Sequence, residues 1–153
     1  MLESRQTAPN FSLPDQDGVV QSLADHKGET VLVYFYPMDD TPGCTKEACT
    51  IAEMYNEFEN NGVKVFGISP DSVESHKAFA EKYHLPFRLL SDPEFQAIKS
   101  YGAFQEKEAT EHGAHTKRIS YLISPDGVII RTYPDVDPAT HALEILKEVK
   151  GIA

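Results

Sequence analysis

The stretch Thr30–Cys49 reads TVLVYFYPMDDTPGCTKEAC, and it decides how the rest of the chain is interpreted. Its first seven residues are a continuous run of β-branched, aliphatic and aromatic side chains, which is typical of a central strand buried on both faces. Prolines and a glycine interrupt this run before an apolar pattern of helical spacing begins. The stretch therefore predicts a buried strand, a stiff loop and a helix in direct succession.

Outward from this stretch, strand and helix patterns alternate along the chain. Residues 10–23 predict a hairpin that turns at Asp17-Gly18, and apolar spacing predicts a helix over residues 44–60. The other predicted strands cover residues 63–68, 87–90, 119–123 and 128–133, and the other predicted helices cover 72–84, 93–101 and 140–149. Parallel βαβ units followed by a hairpin and a helix indicate a single α/β domain over residues 1–153, with a central mixed sheet flanked by helices. The thioredoxin-like architecture is of this kind.

The composition limits the possible partners. The chain has 153 residues, with 24 acidic side chains against 14 lysines and arginines and a formal charge of −10. A nucleic-acid-binding protein needs a basic patch, and here the positive charges are scattered and outnumbered. No apolar run is long enough to cross a bilayer, and the first residues lack the apolar segment of a signal peptide. We therefore expect a cytoplasmic protein without nucleic-acid or membrane partners.

The chain has two cysteines, Cys44 and Cys49, five positions apart in the same stretch. Two cysteines are too few for a disulfide scaffold, so the pair is either reactive or incidental. Cys44 falls in the expected first turn of the helix, where free backbone N–H groups and the helix dipole favour a thiolate. The Thr41 hydroxyl can donate to the sulfur or to a bound oxyanion, and a guanidinium from elsewhere could complete the pocket. These features predict a lowered pKa for the Cys44 thiol.

The loop before Cys44 is rich in residues that restrict the backbone. Pro37 and Pro42 stiffen the loop, and Gly43 permits a sharp turn, so backbone N–H groups can be held toward a small ligand. The alternative is an inert cysteine buried at an ordinary strand-to-helix turn. The prolines, the threonine and the junction position together favour the reactive interpretation.

The pattern Pro37-x-x-x-Thr41-x-x-Cys44 resembles the active-site motif of the peroxiredoxins. The surrounding YFYP, TPGCT and AC are similar to the subfamily called bacterioferritin comigratory protein, or peroxiredoxin Q. The resemblance covers nearly the whole chain and includes APNFSL (8–13), VFGIS (65–69), HKAFA (76–80), LLSD (89–92) and RISYLI (118–123). The loop over residues 104–117 departs from it, because it lacks the Gly-Lys-aromatic pattern common in the subfamily.

The resemblance implies a thioredoxin-like fold and a thiol peroxidase that acts on hydrogen peroxide and organic hydroperoxides. Cys44 would be the peroxidatic cysteine and Cys49 the resolving one. Pro37 and Thr41 match the other motif positions, and Arg118 matches an arginine that points at the active site. The resemblance also implies thioredoxin as the reductant and neither a cofactor nor a metal. The tail motifs of decameric relatives are absent from the sequence, so we expect a monomer or a weak homodimer.

The spacing of the cysteines conflicts with a disulfide on an intact helix. Five residues along an α-helix give about 7.5 Å of rise, and the two Cα atoms would then lie about 8.5 Å apart. A disulfide needs Cα atoms within about 6.8 Å. If both cysteines are catalytic, the helix must unwind over residues 41–50 during each cycle. The alternative is that Cys49 is a small buried residue without chemistry.

Three other functions compete with this interpretation. A thioredoxin-type disulfide reductase would use Cys-x-x-Cys, whereas this chain has four residues between its cysteines. A zinc site could combine Cys44 and Cys49 with His112 and His115, although the two pairs lie far apart in sequence. A non-enzymatic redox sensor or chaperone could use the same thiols, and only turnover against peroxide would separate it from an enzyme.

The remaining polar residues of interest carry weaker predictions. We interpret Asp39 and Asp40 as a solvated loop tip beside the candidate site. The histidines without an identifiable partner are expected on polar faces; these are His26, His76, His84 and His141.

Overall fold

The structure, a computed structural model, describes residues 2–106, 115–134 and 136–152. Its strands are β1 (Ser12–Pro14), β2 (Val20–Ser22), β3 (Thr30–Phe35), β4 (Val63–Ser69), β5 (Arg88–Ser91), β6 (Ile119–Ile123) and β7 (Ile129–Tyr133). Its helices are α1 (Pro42–Glu53), α2 (Tyr55–Asn60), α3 (Val73–Tyr83), α4 (Gln96–Ser100) and α5 (His141–Ile152), with a short 3-10 turn at Leu23–His26. In the described part of the chain, no helix has both the length and the apolar character needed to cross a membrane.

Five strands form one sheet in the order β5-β4-β3-β6-β7, and β1 and β2 form a separate antiparallel pair. β3 runs parallel to β4, and β4 runs parallel to β5. β6 runs antiparallel to both β3 and β7. This arrangement is the mixed sheet with an N-terminal hairpin that the sequence predicts.

The central strand β3 separates two parts of the core. Leu32 and Tyr34 face one cluster of buried residues, whereas Val31, Val33 and Phe35 face the other. This alternation follows from the two-residue period of a strand. Helices α1, α2, α3 and α5 contribute to the first cluster, and the N-terminal segment and α4 contribute to the second. Both faces of β3 are thus covered, which explains why this strand is apolar at nearly every position.

The helix predicted over residues 44–60 is in fact two helices, α1 and α2, separated at Met54. The Met54 N–H donates to the Ile51 carbonyl at 3.1 Å, which tightens the last turn of α1. The Phe58 N–H then donates to the Met54 carbonyl at 3.1 Å, which closes the first turn of α2. Ile51 and Phe58 are both fully buried, so the apolar pattern continues across the break and does not reveal it.

Helix α4 is shorter than the predicted helix over residues 93–101. The Asp92 carboxylate accepts hydrogen bonds from the N–H groups of Gln96 and Ile98, each at 2.9 Å. Phe95 adopts a left-handed conformation with φ 60° immediately before the helix. This cap fixes the first helical residue at Gln96 rather than at Pro93.

Two of the four histidines expected on polar faces are buried instead. His76 is 0% exposed and His141 is 1% exposed. The His141 Nε2 atom lies 2.8 Å from Ser120 Oγ, and burial lowers the pKa of His141 to about 4, so its ring is neutral at pH 7. His84 is exposed and closes α3 in a left-handed conformation, whereas His26 is partly buried.

Gly67 of β4 leaves room for the side chain of Tyr34 on the neighbouring strand β3. It pairs with Tyr34 of β3, and a Cβ atom at Gly67 would lie 2.7 Å from Tyr34 Cζ and 2.8 Å from Tyr34 Oη. The Tyr34 ring is stacked on Tyr36 at 5.5 Å and packs edge-on against Phe87 at 6.0 Å. Because the ring is held on both sides, a side chain at Gly67 has no space.

We expect Gly67→Ala to lower the free energy of unfolding by about 1–3 kcal/mol, because the added methyl group overpacks the core against Tyr34. Gly151→Ala is a matched control, since it adds the same methyl group in α5 where no heavy atom lies within 4 Å. The control should keep or slightly raise stability, by up to about 1 kcal/mol. Urea unfolding followed by circular dichroism measures both variants, and equal stabilities would contradict this account of Gly67.

Candidate active site

The end of β3 and the start of α1 place Cys44 at the rim of the sheet. The strand ends at Phe35, and residues 36–41 lead to α1, whose first residue is Pro42. Thr41 has an extended conformation at the N-cap position, and its carbonyl accepts from the Thr45 N–H at 2.8 Å. The helix begins two residues before the predicted start at residue 44, so Cys44 is its third residue. Its sulfur therefore lies in the first turn, where backbone N–H groups have no helical acceptors.

Arg118 reaches Cys44 because of the register between β3 and β6. Phe35 pairs with Ile119 in this antiparallel register, so Arg118 lies at the same edge of the sheet as the residues that follow β3. The Arg118 Nη2 atom donates to Cys44 Sγ at 3.0 Å. The structure therefore brings together the two residues that lie 74 positions apart in sequence.

The Cys44 thiol is subject to opposing influences on its pKa. Cys44 is only 2% exposed, and this burial raises the pKa above its ordinary value. A hydrogen bond from Thr41, the charge of Arg118 and a hydrogen bond from the Met38 backbone all lower the pKa. Burial is the largest of these effects, so the pKa is raised, and the predicted lowering is wrong in its net direction. The groups predicted to lower the pKa of Cys44 are nevertheless present around its sulfur.

Thr41 and Pro37 occupy the places that the motif predicts. Thr41 is buried, and its hydroxyl lies 3.1 Å from the Met38 carbonyl, close enough to donate to it. A hydroxyl has one proton, so Thr41 donates either to this carbonyl or to the sulfur of Cys44. Pro37 is buried in the loop directly after Tyr36. Pro37 restricts the conformations that the loop backbone can adopt.

Glu47 is a site residue that the sequence interpretation missed. It is 0% exposed, and its Oε1 atom accepts from Arg118 Nη1 at 3.3 Å. Burial raises the pKa of Glu47 to about 7, against the lowering effect of Arg118. The spacing could have indicated it, because Glu47 follows Cys44 by three residues and so lies on the same face of the helix.

Cys49 lies in the same unbroken helix as Cys44 but outside its buried face. The buried residues of α1 are Cys44, Glu47, Ala48 and Ile51, whereas Cys49 is only partly buried. Both cysteines are free thiols, and burial and the charge of Glu53 raise the pKa of Cys49. In a continuous helix, two Cα atoms five residues apart are separated by about 8.5 Å, which is too long for a disulfide.

Asp39 is buried, which overturns the prediction of a solvated loop tip for this residue, whereas Asp40 is exposed as predicted. The Asp39 carboxylate lies 2.7 Å from His76 Nδ1 and accepts from Tyr36 Oη at 2.6 Å. The Asp39 N–H donates to Asp71 Oδ2 at 2.9 Å. This network joins the loop before Cys44 to α3 and to the end of β4.

Asp39, Asp71 and His76 are also the one group of three potential metal ligands among the residues that the structure describes. Hydrogen bonds already connect their ligand atoms to one another and to neighbouring hydroxyls. The group is therefore stable as a hydrogen-bond network, without a cation between its members.

The zinc site that the sequence left as an alternative is not supported. His115 stacks on Phe104 with ring centroids 5.7 Å apart, and its Nδ1 atom lies 2.9 Å from the Gln105 carbonyl. Cys44 and Cys49 do not form a ligand group with it in the described residues. His112 lies outside the residues that the structure describes.

A cavity of about 440 Å³ lies at the opposite end of β3 and β6 from Cys44. Val31 and Ile123, which pair at that end of the two strands, are part of its lining. Its position separates it from the reactive thiol. The chemistry of the site therefore rests on the rim around Cys44 and not on this cavity.

Sequence comparison shows relatives along nearly the full chain. The sequence model of the AhpC/TSA family matches residues 5–132. The putative peroxiredoxin bcp of Coxiella burnetii is 43% identical over 148 residues, which cover 95% of this chain and 97% of that protein. Peroxiredoxin Bcp of Escherichia coli (strain K12) is 43% identical over 152 residues, which cover 97% of this chain and 96% of that protein.

Solved structures show the same fold. A cysteine-to-serine variant of PrxQ from Xylella fastidiosa superposes with a TM-score of 0.92 and 29% identity, covering 99% of this chain and 98% of that chain. The bacterioferritin comigratory protein of Xanthomonas campestris superposes with a TM-score of 0.86 and 32% identity, covering 93% and 91%. These similarities confirm the thioredoxin-like fold. The chain therefore belongs to the AhpC/TSA family and is a peroxiredoxin of the Bcp and peroxiredoxin Q type.

Proposed function

We propose that the chain is a thiol-dependent peroxidase in which Cys44 attacks hydrogen peroxide or an organic hydroperoxide. The observation that carries this proposal is the hydrogen bond of 3.0 Å from Arg118 Nη2 to Cys44 Sγ in the first turn of α1. The similarity to peroxiredoxin Bcp supports the activity, as does the alkyl peroxide reduction ascribed to the Xanthomonas campestris protein. The chemistry needs no cofactor and no metal.

In the first step, the Cys44 thiolate attacks one peroxide oxygen and the O–O bond breaks. The electron pair of that bond leaves with the other oxygen, which takes the peroxide's own proton and departs as water or alcohol. Sulfur is oxidised by two electrons to a sulfenate, and the peroxide is reduced by two. Arg118 donates to the sulfur and, with the Thr41 hydroxyl, is placed to stabilise the negative charge as it moves from sulfur to oxygen.

In the second step, Cys49 resolves the sulfenic acid. The Cys49 thiolate attacks the Cys44 sulfur, hydroxide leaves and becomes water, and a disulfide forms. Because α1 holds the two cysteines too far apart, its first turns must unwind before this bond can form. Helix ends open at a low free-energy cost compared with the core of a protein. A thioredoxin then reduces the disulfide by thiol exchange.

The cellular setting of the reaction is inferred from the sequence. A cytoplasmic location and a monomeric or weakly dimeric state stay predictions. The alternatives of a disulfide reductase and of a non-enzymatic sensor differ from the proposed peroxidase in turnover. Peroxide consumption that outpaces insulin reduction supports the peroxidase, and the reverse supports the reductase.

We expect Cys44→Ser to abolish peroxide consumption with thioredoxin and thioredoxin reductase, because it removes the attacking thiolate. We expect Cys49→Ser to consume about one equivalent of peroxide per chain and then to stop, because the sulfenate has no partner within the chain. NADPH oxidation measures steady turnover, and mass spectrometry measures the oxidation state of Cys44. Steady turnover of Cys49→Ser at the wild-type rate would exclude the intramolecular disulfide.

We expect Glu47→Gln to lower the pKa of the Cys44 thiol, because the substitution removes the negative charge that an ionised Glu47 places beside Arg118. Glutamine keeps an oxygen that accepts from Arg118. The pH dependence of alkylation by iodoacetamide, in a Cys49→Ser background, measures the pKa of the single remaining thiol.

Glu53→Gln is the matched control for this measurement, because Glu53 is exposed at the other end of the same helix. It should leave the alkylation profile of Cys44 unchanged. A Glu47→Gln profile that coincides with this control would show that Glu47 does not compete with Cys44 for the charge of Arg118.

Glu47 also links stability to pH. Its pKa is 4.5 in model compounds and about 7 in the folded chain, so the folded state holds a proton that the unfolded state releases. The contribution of Glu47 to stability therefore falls as pH rises from 4.5 to 7, by on the order of 3 kcal/mol. His141 acts in the opposite direction, because its lowered pKa costs stability as pH falls through the range from 6.5 to about 4.

The comparison of wild type with Glu47→Gln isolates the contribution of Glu47, since His141 is present in both. We expect the stability of wild type relative to Glu47→Gln to decrease between pH 4.5 and pH 7 and to stay constant above pH 7. Urea unfolding across this pH range measures the difference. A difference that does not change with pH would refute the protonation of buried Glu47.

A further inference from the structure

The loop that leads to Cys44 is held by one buried carboxylate. Asp39 Oδ1 accepts from Tyr36 Oη at 2.6 Å, and Asp39 Oδ2 accepts from Ser75 Oγ at 2.8 Å. The same Oδ2 atom lies 2.7 Å from His76 Nδ1. Burial and the charge of Asp39 raise the pKa of Tyr36 well above its ordinary value, so its hydroxyl keeps the proton that it donates.

The hydrogen bonds of His76 fix the protonation of this pair. The His76 ring is fully buried, and its Nε2 atom lies 3.0 Å from the Leu90 carbonyl. A carbonyl can only accept, so Nε2 carries a proton. Since the Tyr36 and Ser75 hydroxyls donate to Asp39, one further proton must lie between Asp39 Oδ2 and His76 Nδ1. Asp39 and His76 therefore form a buried pair without net charge, which is how both can be buried.

This pair lies next to the groups that contact the reactive sulfur. Met38 directly precedes Asp39, and Thr41 follows it by two residues. The Thr41 hydroxyl lies 3.1 Å from the Met38 carbonyl, and the Met38 backbone and the Thr41 hydroxyl both lower the pKa of Cys44. Asp40, between them, has a left-handed φ of 59°, so the backbone has little freedom to adjust there. A shift of Asp39 would therefore move both donors relative to Cys44.

We propose that Asp39 and His76 are a positioning pair for Cys44. The pair fixes the loop to α3 and β5 and thereby holds the Met38 backbone and the Thr41 hydroxyl beside Cys44. His76 does not touch the peroxide and acts through Asp39. The effect of this pair on peroxide reduction rests on the proposed function of Cys44. Its effect on the hydrogen bonds around the thiol does not depend on that function.

The test compares variants in a Cys49→Ser background, where alkylation reports the Cys44 thiol alone. His76→Ala should raise the pKa of Cys44 and slow its reaction with hydrogen peroxide between about 10-fold and 100-fold, because the donors are displaced. Asp39→Asn should stay within about threefold of wild type, because its amide can accept from Tyr36 and donate to a neutral His76. The double variant Asp39→Ala/His76→Ala should lose no more than Asp39→Ala alone, because His76 acts through Asp39.

A matched pair of serine variants separates positioning from general loss of stability. Ser75→Ala removes a donor to Asp39, whereas Ser72→Ala removes the N-cap of the same helix, where Ser72 Oγ accepts from the Ser75 N–H at 3.1 Å. Ser75→Ala should slow alkylation and the peroxide reaction, as His76→Ala does, but by a smaller factor. Ser72→Ala should lower the unfolding temperature without changing either reaction. If His76→Ala does not fold, this pair carries the test.

The proposal is overturned if His76→Ala folds and keeps the wild-type thiol pKa, or if Ser72→Ala and Ser75→Ala behave alike. It is also overturned if Asp39→Asn loses as much activity as His76→Ala. Asparagine keeps the hydrogen-bond geometry of Asp39, so that geometry would then not be what supports the reaction of Cys44. A wild-type protein that does not consume peroxide would refute the proposed function instead. The alkylation series would still test the positioning pair, since alkylation requires no peroxide.

Discussion

The guanidinium of Arg118 contacts both the buried Cys44 thiol and the buried Glu47 carboxyl, and the site is organised around these two contacts. Its Nη2 atom lies 3.0 Å from Cys44 Sγ, and its Nη1 atom lies 3.3 Å from Glu47 Oε1. One positive charge can compensate one negative charge in a place from which water is excluded. A proton that resides on Glu47 therefore favours the thiolate at Cys44, because it removes a negative charge from beside the same guanidinium. Burial raises both pKa values, and Arg118 opposes this rise at both residues.

In the proposed mechanism, the same helix must serve two incompatible geometries. In its folded form, α1 places Cys44 beside Arg118 and buries Glu47, Ala48 and Ile51 against the core. In the disulfide form, the turns between Cys44 and Cys49 cannot stay helical. Burial of Glu47 opposes this unwinding less than an apolar residue would, because exposure lets the carboxyl ionise freely in water. The buried acid thus lowers the cost of leaving the folded form as well as tuning the thiol.

The sequence predicts this architecture well where the signal is local. The apolar run of β3, the turn glycines and the motif around Cys44 each indicate their structure without knowledge of distant residues. The break at Met54 has no local signal, because the apolar spacing continues through it. The burial of Glu47 and Asp39 depends on Arg118 and His76, which other elements bring to the site. Their burial, and the raised pKa of Cys44, follow from tertiary packing that spacing along the chain does not contain.

The anchoring of the loop also sets where unwinding can start. Asp39 is tied to α3 by buried hydrogen bonds, and Asp40 contacts Lys82 Nζ and Tyr83 Oη of the same helix, each at 2.8 Å. The contacts of Asp40 are exposed and contribute little on their own, so Asp39 provides most of the restraint. Pro42 and Gly43 follow at once, and both are poor at propagating a helix. A fixed segment therefore meets a weak helix start at Thr41. In the proposed mechanism, this boundary lets Cys44 leave Arg118 while the rest of the loop keeps its place.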